Sequence, residues 1–306
     1  MRNILLFISL FLLSACMVTP NIQPSAKVDL TDLQPLPTPS ISETPLRVAV
    51  AAVISPKGTV ESYSGLVNYL GEKTGRPVEL VQRRTYMEVN DLLETSEVDL
   101  AFVCTSAYIA GQRDFGMELL AAPQVDGGTV YYSYLIVPME SQVRSMAHLK
   151  GKVFALTDPI SLTGRAYPTT LVTQLGATPE TFFKRTFFTY SHDEAIYAVA
   201  NGLADGAGVD SLIYDYALSR DPALSGKVKI IHISPSFGIP PVVVNPNLRP
   251  QIKIELQNLL LDMSNDPVGR DALTAIGVEK FVIINDSSYE SVRSLLDGIP
   301  LLFGLP

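Results

Sequence analysis

From residue 46 onward, short apolar runs alternate with stretches of helical periodicity. Residues 47–53 form a β-branched, apolar run that predicts a strand. In residues 62–73 the apolar and aromatic positions Tyr63, Leu66, Val67, Tyr69 and Leu70 make a helical stripe, and Gly75 is placed to cap it. Residues 77–82 predict a second strand, 88–94 a helix, 98–103 a third strand and 107–112 a short helix. Such alternation argues for parallel βαβ units with right-handed crossovers.

The pattern breaks at residues 131–138, where a nearly continuous apolar and aromatic run replaces the alternation. It restarts with a strand at 152–157, a helix near 168–175, a strand near 186–189, a helix at 193–201 and a short strand at 206–209. A second continuous run covers 239–244, and the remainder reads as mainly helical. Two crossing segments around a self-contained middle block predict two α/β lobes joined by a hinge. The expected boundaries put 46–134 and 243–306 in lobe 1, and 135–242 in lobe 2. A cleft between lobes is a preferred ligand site.

The first 45 residues follow another logic. Arg2 precedes an apolar run over residues 4–13 that is too short to cross a bilayer core of about 30 Å. It ends in Leu13-Ser14-Ala15-Cys16, which resembles the bacterial lipobox, so residues 1–15 are expected to be a signal peptide and Cys16 the lipidated N-terminus. Pro20, Pro24, Pro35, Pro37, Pro39 and Pro45 punctuate residues 16–45, which favours an extended tether over a packed core. The expected location is outside the cytoplasm, held at a membrane surface by lipid.

Composition narrows the function. At 47 % hydrophobic the chain is rich enough to fold, and a net charge of −8 gives no reason to expect nucleic acid. With Cys16 lipidated, Cys104 has no intramolecular partner and closes a buried apolar run, which suits a buried strand-end thiol. No His-Glu-x-x-His, Gly-x-Ser-x-Gly or phosphate-binding loop occurs, and the three histidines are far apart. An enzyme is therefore not expected, nor is any cofactor or metal.

The candidate chemistry lies in the middle block. Asp158-Pro159-Ile160-Ser161-Leu162-Thr163-Gly164 follows a strand and precedes a helix, with Pro168 suited to the first turn. Hydroxyls and free backbone N–H groups at a helix N-terminus can hold an anion without a cationic side chain. Ser161 and Thr163 could equally cap the helix. Ser191-His192-Asp193 opens the next helix, where His192 is either a surface or capping residue or a ligand contact able to titrate near neutral pH. Asp210 ends a strand, where α/β sheets place ligand groups, and would also serve as an N-cap. A carboxylate there tolerates an anion only if the ligand brings a proton or an amine. Thr105-Ser106-Ala107-Tyr108 follows the third strand, and the loop near Ser55 is a weaker candidate. Tyr131, Tyr132 and Tyr134 lie on the first crossing run, and which of them lines the cleft stays open.

The lipobox, the Tyr69-Leu70-Gly71-Glu72-Lys73-Thr74-Gly75 helix end and the middle-block motifs resemble the phosphate/phosphite/phosphonate-binding proteins of ABC importers, over residues 46–303. The resemblance implies the type II periplasmic-binding-protein fold. It implies a monomeric lipoprotein that captures a small oxyanion by hinge closure and delivers it to an ABC permease. A binding protein that feeds a membrane sensor kinase is the alternative. By resemblance, Ser161, Thr163 and the Gly164 amide grip the oxyanion, His192 contacts it from the same lobe, and Tyr108 reaches it from the first. Leu162 departs from the pattern, standing where relatives often carry a further hydroxyl.

Overall fold

The computed structural model describes residues 44–299. The leader, Cys16 and most of the tether lie outside the described residues. Chain order is β1 (Leu46–Val50), α1 (Pro56–Thr74), β2 (Val78–Gln82), α2 (Tyr86–Glu94), β3 (Leu100–Phe102), α3 (Thr105–Phe115), β4 (Glu118–Gln124) and β5 (Val130–Tyr131). Next come β6 (Ser133–Pro138), β7 (Val153–Leu156), α4 (Tyr167–Gln174), α5 (Pro179–Phe182), β8 (Arg185–Phe188), α6 (His192–Ala200) and β9 (Gly206–Asp210). The chain continues through α7 (Ser211–Arg220), β10 (Val228–Ile233), β11 (Phe237–Gly238), β12 (Val242–Val244), α8 (Pro250–Asp262) and α9 (Pro267–Ala275). It closes with β13 (Lys280–Val282) and α10 (Glu290–Asp297).

Two mixed sheets result. One has the order β13-β4-β12-β3-β1-β2, the other β10-β6-β9-β7-β8. In the first sheet β1 runs parallel to β2 and β3, as the βαβ pattern demands, while β12 returns antiparallel between β3 and β4. In the second, β7 is parallel to β8 and β9, and β6 is antiparallel to β9. The chain passes between the sheets twice, at β5 and β11, which pair with each other antiparallel through Tyr131–Phe237 and Val130–Gly238. This is the two-lobed type II periplasmic-binding-protein architecture, with the crossing strands as a two-strand hinge.

Both sheets are covered on both faces, which is why their central strands read as continuous apolar runs. Val48, Val50, Leu100, Phe102, Val242 and Val244 fill one core, while Ala49, Ala101 and Val243, one residue out of phase, face the other. In the second sheet Leu135, Val137, Phe154 and Leu156 pack on one side, and Ile136, Ala155, Ala207 and Val209 on the other. Each fully buried Val, Leu, Ile or Phe side chain among them contributes about 1.5–3 kcal/mol of transfer free energy.

Several elements differ from the sequence reading. Helix α1 begins six residues earlier than its stripe suggests, at Pro56, whose fixed φ suits the first helical turn. Strands β4, β10 and β13 were not visible in the pattern. β10 and β13 are edge strands, where the burial that betrays a strand is incomplete. The two continuous runs prove to be mostly core strands, β6 and β12, and the crossing pair sits beside them. A crossing strand that pairs only two residues needs no long apolar run.

Candidate functional site

The Val53 carbonyl and the starts of α1, α2 and α3, in the first lobe, face residues 158–160 and the start of α6 across the cleft. Direct bonds join the lobes there. The Ser55 amide donates to both Asp193 carboxylate oxygens, at 2.9 and 3.0 Å. The His192 amide donates to the Val53 carbonyl at 3.0 Å. The Tyr86 amide donates to Asp158 Oδ2 at 3.0 Å, and the Ser106 hydroxyl donates to the Ile160 carbonyl. Arg84 lies 4.0 Å over the Tyr190 ring. Asp158 and Asp193 thus stand in for the missing partners at the starts of α2 and α1, the orphan donors that every helix start exposes.

Between these contacts lies a buried set of hydroxyls. Tyr86 and Tyr131 are 0 % and 1 % exposed, and neither phenol has a hydrogen-bond partner among the described residues. The Tyr86 phenol lies beside Ser161 and, like that of Tyr131, within electrostatic reach of Cys104 and Asp210. Thr105 stands next to Tyr131 and donates to the Gly238 carbonyl at 2.8 Å, tying α3 to the hinge. Thr163 on the opposing turn is fully buried with its hydroxyl unpartnered, as are Thr157 and Ser191. Buried polar groups normally find partners. Unpartnered buried hydroxyls on both lobes are candidates for holding an acceptor.

The candidate anion turn is a π-helical turn, Leu162–Ala166, leading into α4. Ser161 accepts the Gly164 amide at 3.1 Å, so that amide already has a partner and Ser161 has a capping role. Gly164 is required for another reason: a Cβ there would lie 1.7 Å from Thr157 Oγ1. Pro168, on the first turn of α4, packs so close to Gly208 that a Cβ at that glycine would lie 2.4 Å from it.

His192 is buried at the start of α6, and its Nδ1 accepts the Asp210 amide at 3.1 Å. A ring nitrogen that accepts carries no proton, so the neutral imidazole keeps its proton on Nε2. Burial pushes its pKa down to about 3. Burial thus outweighs the favourable charge of Asp193 and holds the imidazole neutral, where the sequence offered a group able to titrate near neutral pH. Asp210 caps α7, its Oδ1 accepting the Leu212 and Ile213 amides at 2.7 and 3.4 Å. Burial pushes its carboxyl up to about 7. Asp158 is likewise raised to about 6 by burial, against the hydrogen bonds from the Ile160 and Tyr86 amides.

Tyr108 is not directed at the cluster. Its hydroxyl donates to Asp286 at 2.6 Å and its ring packs on Tyr289 at 5.0 Å, both in the first lobe. It is a buried aromatic that fastens α3 to the chain's last turns. The buried, unpartnered hydroxyl of this lobe belongs instead to Tyr86, a helix-start tyrosine with no local sequence signature. Of the three crossing-run tyrosines, Tyr131 carries the buried hydroxyl, while Tyr134 packs edge-on against Tyr214. A cavity of about 660 Å³ also opens between the lobes and shares Val53, Ile239 and Asp210 with the surroundings of the cluster. Its charged lining is Asp126, Asp210, Asp215 and Arg220, a balance that does not favour an anion.

Residues 48–289 match the family model described as the periplasmic substrate-binding protein of the phosphonate ABC transporter. The chain is 27 % identical over 259 residues to the phosphate-import protein PhnD of Mycolicibacterium smegmatis, covering 77 % of this chain and 80 % of that protein. Among solved structures, the binding component of an ABC phosphonate transporter from Pseudomonas aeruginosa superposes with a TM-score of 0.78 at 22 % identity, covering 83 % of this chain and 85 % of that one. PhnD1 of Prochlorococcus marinus in complex with methylphosphonate gives 0.75 at 17 %, covering 83 % and 98 %. These two likenesses show the fold, and the family match spans both lobes. The chain belongs to the periplasmic substrate-binding proteins of phosphonate ABC transporters.

Proposed function

We propose that the buried hydroxyl cluster between the lobes holds a small phosphorus oxyanion: phosphate, phosphite or a phosphonate. The observation that carries this reading is the set Tyr86, Tyr131 and Thr163, three unpartnered buried hydroxyls drawn from the first lobe, the hinge and the second lobe. Neutral donors suffice for an anion in a water-poor site, where each hydrogen bond is stronger than in water. His192, as a neutral Nε2 donor, Ser161 and the start of α4 complete the donor set. The protonatable Asp210 makes the site tolerant of a ligand that carries a proton.

In this reading the lobe boundaries fall at the paired strands β5 and β11, and ligand closes the lobes by rotation there. The closed form gains the bonds that the Ser55 amide donates to Asp193 and the Tyr86 amide to Asp158. The protein is a substrate-binding component of an ABC importer and not an enzyme. It works as a monomer, tethered outside the cytoplasm by lipid on Cys16. The anchor is tested by membrane fractionation: Cys16→Ala should release the protein into the soluble fraction, and retention after a carbonate wash would refute it. The ligand is tested by calorimetry against phosphate, phosphite, methylphosphonate and sulfate. At least one phosphorus oxyanion should bind and be preferred to sulfate, which carries no proton at neutral pH. Sulfate binding as tightly as all three would overturn the reading.

A further inference from the structure

The cavity of about 660 Å³ between the lobes has a lining that the oxyanion reading leaves unused. Its size falls in the range of small-molecule sites. The rings of Tyr63, Phe102 and Phe281 wall it on the first-lobe side, and Tyr216 of α7 on the second. Tyr63 packs edge-on against Phe102 with 5.2 Å between ring centroids, and Phe281 lies 6.0 Å from Phe102. The three rings thus form one continuous wall. Ile54, Leu212, Ile239 and Ile276 add aliphatic surface.

The charge of the lining is negative. Asp126, Asp210 and Asp215 are countered by Arg220 alone, whose Nε already donates to the Tyr216 hydroxyl at 3.2 Å. Asp126 and Asp215 are exposed, whereas Asp210 is only 4 % exposed. Asp210 Oδ1 caps α7, and Oδ2 makes no hydrogen bond among the described residues. A buried carboxylate oxygen without a partner is costly unless a compensating charge arrives. The neutral polar groups are spent on each other: the Ser62 and Tyr216 hydroxyls lie 2.6 Å apart, joining α1 to α7 across the lobes.

Such a lining discriminates among cations. A primary ammonium brings three N–H donors, each needing an acceptor, to walls made mostly of rings and aliphatic groups. A quaternary ammonium carries the same charge with no donor to satisfy, and aromatic faces attract it. Independently of the oxyanion reading, we propose that the interlobe cavity is a binding site for a quaternary, methylated ammonium group, held against the aromatic wall with Asp210 and Asp215 balancing its charge. The group is either a free organic cation or the tail of a phosphorus ligand whose oxyanion sits at the hydroxyl cluster. Val53 and Asp210, which line the cavity, are both hydrogen-bonded to His192 of that cluster, so a single ligand has a route between the two.

Calorimetry on the full chain tests this with two matched pairs: choline against ethanolamine, and phosphocholine against 2-aminoethyl phosphate. The methylated member should bind about tenfold tighter in at least one pair, the worth of a desolvated contact between a cation and an aromatic face. A preference in the first pair assigns a free cation, and a preference confined to the second assigns the tail of a phosphorus ligand. Tyr63→Leu should remove most of the preference. Asp215→Asn, at an exposed position, should weaken the methylated ligand several-fold without lowering the melting temperature. No preference for the methylated member in either pair overturns the proposal, and so does a preference that survives both substitutions. Failure of phosphate, phosphite and methylphosphonate to bind, with the choline preference intact, overturns the oxyanion reading and leaves the cation site standing.

Discussion

His192 shows how a residue's environment decides its chemistry. The Ser-His-Asp motif places an imidazole at a helix start, and at a surface such a group titrates near 6.5. Here it is buried with Nδ1 accepting the Asp210 amide, and its pKa falls to about 3. In the unfolded chain the ring takes a proton as pH drops through about 6.5, whereas the folded ring stays neutral until about 3. Its contribution to stability is therefore fully present above pH 6.5 and lost as pH falls from 6.5 to 3. Asp158 and Asp210 work in the opposite sense, since their raised values cost stability as pH rises from about 4 through 6 to 7. Comparing wild type with His192→Asn isolates the histidine. The wild type should lose melting temperature faster than the variant between pH 6.5 and 4, while ligand affinity in the two proteins follows parallel curves from pH 5.5 to 8.5. An affinity difference that varies with pH across that range would mean the imidazole ionises at the ligand.

At the same scale the sequence was informative about residue types and poor on orientation. Ser161, Thr163, His192 and Asp210 all lie buried where two lobes meet. Whether each hydroxyl faces a ligand or its own backbone depends on a rotation of one bond, which no spacing encodes. Ser161 turned toward the Gly164 amide, and Tyr108 toward Asp286.

The elements around the site are arranged so that helix starts of one lobe are completed by side chains of the other. Asp193, in the first turn of α6, receives the Ser55 amide at the start of α1, and Ser55 itself makes no side-chain cap. Asp158 receives the Tyr86 amide at the start of α2, alongside the local capping box of Thr85 and Glu88. These bonds exist only while the lobes are apposed, so they favour the closed form without helping either lobe to fold. Asp193→Ala should therefore weaken ligand affinity by about twofold to tenfold, given about 0.5–1.5 kcal/mol for one net hydrogen bond. Its ligand-free melting temperature should move little. Calorimetry together with a thermal scan checks both; unchanged affinity with a large drop in melting temperature would assign Asp193 to folding instead. The elements themselves were legible wherever both faces are buried, as in β1, β3, β6 and β7, because such strands must be apolar throughout. Strands β10 and β13 at the edges, and β4 with its interrupted burial, lack that signature.

At the scale of the whole molecule, two sheets joined by a two-residue strand pair make an assembly that can rotate about β5 and β11. The two-lobed form followed from the sequence because the βαβ rhythm stops and restarts. The exact crossing point did not, because two residues of strand pairing leave no periodicity. A hinge with a ligand site in its cleft makes stability and affinity separable, and this separates the site from an ordinary core. Tyr86 and Tyr131 bury hydroxyls with no well-formed hydrogen bond among the described residues, so replacing both by phenylalanine should leave the ligand-free protein about as stable as the wild type. The same change removes two hydrogen bonds to a charged ligand, each worth about 1.5–3 kcal/mol. The decisive measurement is calorimetric titration of wild type and the Tyr86→Phe, Tyr131→Phe double variant with whichever phosphorus oxyanion binds wild type most tightly. The account predicts a dissociation constant raised a hundredfold or more in a variant whose melting temperature has not fallen; equal affinity in the two proteins would contradict it.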